Sequence, residues 1–194
     1  MRIFRHIQCE GPGYLSQILQ EEHIPFTTVC IDRNESFSSD AAESSALVFM
    51  GGPMSVNDDL AWIHQELALI QDAVNKDVPV LGHCLGAQLL AKAMGGQVPV
   101  NPQREIGWHK VSPLGSSALF AGLHADFLAF HWHGETFSLP AQCSNILASE
   151  HCRNQTIVCG KNLGLQCHIE MTAEMVRTWV ELYQNELQPA IAVQ

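Results

Sequence analysis

The sequence predicts an α/β protein: an open, mostly parallel sheet flanked by helices, with additional short antiparallel strands in the second half. Three observations carry this. Strand-like and helix-like segments alternate through the first half, the pattern of successive βαβ units. Two short, continuous apolar runs, ALVFM (residues 46–50) and VPVLG (residues 78–82), stop at glycines, as strands buried on both faces do. After residue 96 the texture shifts to short strands separated by loops, a more antiparallel style.

Taken in order, residues 2–8 (RIFRHIQ) predict a strand and residues 13–23 (GYLSQILQEEH) an amphipathic helix. Residues 25–32 (PFTTVCID) are β-branched and strand-like, and a Ser-rich loop follows around 36–45. The run 46–50 is the third strand, 60–76 has apolar residues at helical spacing, and 78–82 is the fourth strand. Residues 106–111, 126–130, 145–150 and 155–161 predict short strands, and 163–170 (LGLQCHIE) a last one. Residues 172–187 predict a closing helix capped by Thr172. No internal repeat, linker or low-complexity tail interrupts the pattern, so residues 1–194 read as a single domain.

Composition narrows the function classes. Hydrophobic residues at 46% against 15% charged leave enough apolar surface for a core and exclude extensive disorder. A net charge of −10 with no basic cluster argues against nucleic-acid or anionic-membrane partners. The most apolar long stretch, residues 78–98, carries His83 and Lys92 and is cut by Gly82, Gly86, Gly95 and Gly96. It predicts strand, turn and helix, not a membrane span. The N-terminus lacks the pattern of a signal peptide. Seven scattered cysteines argue against a disulfide-stapled secreted fold, so a reducing cytoplasm is the expected location.

Chemistry concentrates at GHCLG (residues 82–86), which follows a buried strand and opens a helix. There a G-x-nucleophile-x-G sequence forms a sharp elbow, and the helix N-terminus favours an anionic sulfur at Cys84. A tight strand–helix turn can equally hold a small buried cysteine for packing alone. In QCHIE, His168 and Glu170 stand at i and i+2, so in an extended chain both side chains reach one face. A carboxylate beside an imidazole fixes its tautomer and stabilises its protonated form, although a surface ion pair would show the same spacing. GGPMS (residues 51–55), directly after the third strand, offers bare backbone amides at the same sheet edge, or simply a turn.

Together these residues resemble the class I (triad-type) glutamine amidotransferase family, particularly stand-alone members similar to the glutaminase domain of GMP synthase. GHCLGAQLLA resembles its nucleophile segment, VFMGGPMS its oxyanion segment and QCHIE its His–x–Glu segment. HWHGETFSLP (residues 131–140) resembles the segment lining the glutamine pocket, and EIGWHKV (residues 105–111) is typical of the stand-alone members. The resemblance covers nearly the whole chain. It implies a flavodoxin-like, class I glutamine amidotransferase-like fold and cysteine-dependent hydrolysis of a glutamine side-chain amide. It also implies roles: Cys84 as nucleophile, His168 as general base and acid, Glu170 as orienting carboxylate, and the amides of Gly52 and Leu85 as oxyanion hole. Gln88 would contact substrate, and His133, Gly134 and Glu135 would hold its amino-acid end, mainly through backbone groups. Two positions depart from the family pattern: Ile169 replaces a usual proline, and His83 replaces a usual apolar residue. His83 is expected to point away from Cys84 as a packing or supporting residue.

This reading calls for no cofactor. The His and Cys pairs lack zinc-ligand spacing, so no metal is expected. No phosphate-binding G-x-x-x-x-G-K-[ST] segment occurs, so a nitrogen acceptor would require a separate synthetase partner. Two alternatives remain: a stand-alone γ-glutamyl peptide hydrolase acting on glutathione-like compounds, and a non-catalytic binding or regulatory protein on the same fold.

Overall fold

The computed structural model describes residues 1–115, 118–120 and 126–187. Six strands form the larger sheet: β1 (Arg2–Arg5), β2 (Thr27–Cys30), β3 (Leu47–Phe49), β4 (Val80–His83), β8 (Thr156–Cys159) and β9 (Asn162–Leu165). Their spatial order is β2-β1-β3-β4-β9-β8, all neighbours parallel except the edge pair β8 and β9. Between them run α1 (Gly13–Glu21), α2 (Ala61–Asn75) and α3 (Leu85–Ala93), and α4 (Ala173–Leu182) follows β9. A three-stranded antiparallel sheet, order β6-β5-β7, contains β5 (Val100–Pro113), β6 (Phe127–Glu135) and β7 (Leu147–Ser149).

Every predicted element is present, with shorter strands in the larger sheet and a much longer β5 and β6. The central strand β3 is apolar at every position because alternate side chains feed two cores. Phe4, Leu47, Phe49 and Val80 pack with Ile63, Leu69, Ile70 and Leu89 from α2 and α3. Ile3, Val48 and Met50 point the other way and meet Leu19 and Leu15 of α1. A third cluster, Val111, Ala129, Leu147, Leu165 and Cys167, joins the smaller sheet to the end of β9.

Two expectations need correction. The sequence predicts a strand through Glu170, but β9 ends at Leu165. The chain then crosses to the smaller sheet, where His168 and Phe130 form an isolated antiparallel bridge. The scattered cysteines argue against a disulfide-stapled secreted fold and point to no pairing, yet Cys143 and Cys159 are bonded, their Cα atoms 4.6 Å apart. The reason lies in chain pairing: Ser144 and Val158 form an antiparallel bridge, which sets the residue before one beside the residue after the other. Cys84 and four other cysteines are free. Among the described residues no helix is long and apolar enough to cross a membrane.

Candidate active site

In a parallel sheet the loops after β1, β3, β4 and β9 all emerge at one edge, and strand order reverses around β1. The predicted catalytic residues lie on those loops. Cys84 occupies the turn between β4 and α3 with φ 49° and ψ −106°. That region is strained for a residue bearing a Cβ, and strain of this kind marks functional turns. The turn is tight because the flanking residues are glycines. A Cβ on Gly82 would strike the Gly86 backbone, and one on Gly86 would strike the Phe49 carbonyl. The Cys84 amide donates to the Leu165 carbonyl at 2.8 Å, tying the elbow to β9. Leu85 is the first residue of α3, so its amide lacks an acceptor within the helix.

The bridge to Phe130 turns His168 and Glu170 to one side even though β9 has ended. His168 Nδ1 donates to Glu170 Oε1 at 2.7 Å, and the buried Nε2, which meets no geometric hydrogen-bond partner among the described residues, is left to interact with Cys84. Burial works to lower the pKa of His168, but the charge of Glu170 and then interaction with Cys84 outweigh it and raise the pKa well above the ordinary value. Glu170 is pushed the opposite way: burial favours its neutral form, but His83 and His168 hold it well below the usual carboxylate range. His83 Nδ1 lies 2.9 Å from Glu170 Oε2. The carboxylate therefore sits between two imidazoles.

Beside Cys84 opens a cavity of about 340 Å³. Gly52, Gln88, His133, Gly134 and Glu135 all line it, so the structure brings the predicted residues to one place. The His133 ring is turned into the smaller sheet, where Nδ1 lies 2.9 Å from the Glu135 carbonyl oxygen and Nε2 lies 3.1 Å from Glu105 Oε2. Its backbone, not its imidazole, is what faces the cavity. Ser55 Oγ donates to Glu135 Oε1 at 2.9 Å, closing one wall. Gln88 Nε2 donates to Gln166 Oε1 at 3.2 Å, and Gln166 Nε2 lies 3.6 Å from the Cys84 sulfur.

The opposite wall was not anticipated from the sequence. It consists of Glu10 from the loop after β1, Arg104, Trp179, Tyr183 and Glu186, beside Trp132 of the expected pocket segment 131–140. Trp179 presents an edge to His168 with ring centroids 5.0 Å apart, and its Nε1 donates to the Cys9 carbonyl. Burial pushes the Glu10 carboxyl up to about 7, against the opposing pull of His168 and His6. No spacing rule connects residues 10 or 183 with residue 84. Only the topology does, by laying the loop after β1 and the C-terminal helix over the same edge.

Residues 14–180 match the family model for glutamine amidotransferase class-I. The chain belongs to the class I glutamine amidotransferases. It is 32% identical over 194 residues to the glutamine amidotransferase-like protein YfeJ of Salmonella typhimurium, covering 95% of this chain and 81% of that one. It is also 32% identical over 147 residues to a glutamine-hydrolyzing GMP synthase component from Sulfolobus acidocaldarius, covering 74% and 75%. The crystal structure of a glutamine amidotransferase from Methylobacillus flagellatus superposes with a TM-score of 0.94 at 46% identity, over all of this chain and 79% of that one.

One further cluster has the composition of a metal site. The ligating atoms of Glu105, His131 and His133 lie within 4.8 Å of one another, all buried. The carboxylate is already matched by donors. Glu105 accepts from His133 Nε2 at 3.1 Å, Ser149 Oγ at 2.6 Å and Gln155 Nε2 at 2.8 Å, and lies 3.3 Å from His131 Nδ1. This is a hydrogen-bond hub that fixes β5, β6 and the strand β7 to one another.

Proposed function

We propose that this chain hydrolyses the side-chain amide of glutamine through a γ-glutamyl thioester on Cys84. The observation that carries the reading is the meeting, at one sheet edge, of a strained cysteine elbow with a buried His168 whose Nε2 is left to interact with the thiol and whose Nδ1 is held by Glu170. His168 Nε2 takes the proton from the Cys84 thiol. The thiolate attacks the amide carbon, and the carbonyl oxygen becomes an oxyanion facing the amides of Gly52 and Leu85. The imidazolium then protonates the leaving nitrogen, the C–N bond breaks, and ammonia departs. Water, deprotonated by His168, adds to the thioester, and collapse releases glutamate and returns the proton to sulfur. Glu170 keeps the imidazole in the required tautomer throughout. Gln88 and the backbone of His133, Gly134 and Glu135 hold the amino-acid end of the substrate. No cofactor takes part in these steps.

The test is turnover and trapping. Wild type should release ammonia from glutamine and carry a γ-glutamyl adduct on Cys84 when quenched, and Cys84→Ala should do neither. Equal behaviour of the two proteins would establish instead the non-catalytic reading. A second reading, hydrolysis of γ-glutamyl peptides, draws on the unanticipated wall: Arg104 lines the same cavity, its Nη1 3.2 Å from Glu186 Oε2, and a carboxylate on a larger leaving group would compete with Glu186 for that guanidinium. Turnover of γ-glutamyl dipeptides in excess of glutamine decides for it. A synthetase receiving ammonia is the corresponding partner for the first reading, and would raise glutamine turnover when added.

A further inference from the structure

The peptide joining Gly51 to Gly52 has no side chain on either flank, so little steric resistance opposes rotation of its plane. The orientation matters. Turned one way it offers the Gly52 N–H to the cavity; turned by half a revolution it offers the Gly51 carbonyl, which repels a developing oxyanion. Larger residues cannot supply the missing stiffness here. A Cβ on Gly51 would strike the Glu10 carboxylate, and one on Gly52 would press on Leu85 Cδ2 at 3.0 Å and His6 Cβ at 3.1 Å.

His6 supplies an external hold. Phe4 and Phe49 are register partners on adjacent parallel strands, so His6 and Gly51, each two residues further on, leave the sheet side by side. His6 Nδ1 lies 3.1 Å from the Gly51 carbonyl oxygen, and Nε2 lies 3.0 Å from Glu66 Oε2 on α2. The Gly51 carbonyl is an acceptor only, and a carboxylate is too, so a ring paired with the Glu66 carboxylate carries protons on both nitrogens and is an imidazolium. The side chains of His6 and Glu66 are both fully buried. Burial opposes the charge, but Glu66, the Gly51 carbonyl and the more distant Glu10 together raise the pKa of His6 above its ordinary value. Trp62 covers one face of the ring at 5.0 Å. A buried ion pair of this kind is a weak source of stability, since apolar residues of similar volume generally do as well.

We propose that His6, kept a double donor by Glu66, is a positioning residue that locks the Gly51–Gly52 peptide with its N–H toward the cavity. The chain has no cis peptide among the described residues, so a carbonyl directed at His6 sends the following N–H to the opposite side. Gly52 lines the cavity that Cys84 opens onto. This inference rests on the acyl-transfer reading above, because only an oxyanion gives the orientation a purpose.

The test compares two double variants, each free of buried charge. His6→Asn with Glu66→Gln keeps an N–H donor for the Gly51 carbonyl; His6→Leu with Glu66→Met removes it. Three measurements are made: kcat and KM for glutamine, the rate of Cys84 alkylation by iodoacetamide, and the crystal structure of each variant. Alkylation displaces iodide at a methylene and needs no oxyanion donor, so it reports on the thiol alone. Loss of one such donor lowers kcat by about 100-fold or more. The Leu/Met protein should show that fall with KM and alkylation little changed and the Gly51 carbonyl turned into the cavity. The Asn/Gln protein should keep kcat within about tenfold of wild type, as expected when a donor to the same carbonyl remains. A Leu/Met variant with wild-type kcat, or with its Gly51 carbonyl unmoved, overturns the proposal. If wild type itself turns over no γ-glutamyl amide, the functional reading fails, and the crystal structures still decide whether His6 sets the peptide. Should the Leu/Met protein not fold, ¹⁵N shifts of labelled His6 in wild type decide: a neutral ring at pH 7 overturns the proposal, and two protonated nitrogens support it.

Discussion

Two buried histidine–carboxylate centres differ in what stands beside the imidazole. At the hub, Glu105 is surrounded by donors from His131, His133, Ser149 and Gln155, and both nitrogens of His133 are occupied. At the sheet edge, Glu170 occupies one nitrogen of His168 and leaves the other without a geometric hydrogen-bond partner among the described residues, close to a strained cysteine. His131 at the hub also keeps a buried Nε2 without a partner, so what sets the edge apart is the strained cysteine elbow beside its imidazole and the cavity onto which that cysteine opens. The first centre joins β5, β6 and β7, and the second stands where the proposed thioester chemistry needs a proton carrier.

The comparison breaks first, and most sharply, at the edge. Replacing His168 with Asn should lower glutamine turnover by about 10⁴-fold, the scale on which acyl-transfer enzymes lose rate when the base is disabled. A quenched-flow assay of ammonia release checks this, and a loss under tenfold would mean that another group carries the proton. Replacing Glu105 with Gln should act on stability instead of rate. It removes the charge that the surrounding donors are gathered around, and breaking a buried ionic partner costs about 3 kcal/mol. Urea denaturation should register that loss, while kcat of the folded protein stays within about tenfold. A variant with intact stability and abolished turnover would move the hub into the chemistry.

A third carboxylate sharpens the contrast. Glu170 touches an imidazole and is held ionised; Glu10 faces His168 and His6 without an ion-pair contact, and burial pushes it up to about 7. An acid whose pKa is raised by folding contributes stability below its unfolded value and loses it as pH climbs through the folded one. Folding stability should therefore fall between about pH 4.5 and 7 by up to about 3 kcal/mol from this group. In Glu10→Gln, denaturation midpoints measured across that window should lose this component of the slope. An unchanged slope would place the charge of Glu10 in water.

How much of this was legible beforehand follows from the range of the interactions. The strands 46–50 and 78–82 declare themselves because burial on both faces leaves no polar position. Cys84 and its glycines are one local turn, and His168 with Glu170 are two residues apart, so short-range geometry made them candidates and the family resemblance supplied their roles. The strand through Glu170 was overextended because an isolated bridge to Phe130 imitates strand periodicity for three residues. His6, Glu66 and Glu10 carried no signal. Their meaning depends on β1 lying next to β3, a fact of strand order that hydrophobic patterning does not encode. The Cys143–Cys159 bond was hidden for a similar reason, being set by a bridge between residues 14 apart in the chain.

The smallest expected effect tests whether the far wall of the cavity belongs to the site or only borders it. Thr172 Oγ accepts from the Met175 amide at 3.2 Å and caps α4, the helix that carries Trp179 against His168 and leads on to Tyr183. Thr172→Ala removes one satisfied first-turn donor and should cost about 1 kcal/mol of stability, read from a urea midpoint. Nothing in the triad is touched. If α4 is merely a cover, kcat and KM for glutamine and for γ-glutamyl dipeptides should move together or not at all. If its aromatic face forms the leaving-group side of the cavity, loosening the helix should raise KM for the dipeptides more than for glutamine. On that reading a larger leaving group would meet Trp179 and Tyr183, which line the cavity, and ammonia would not.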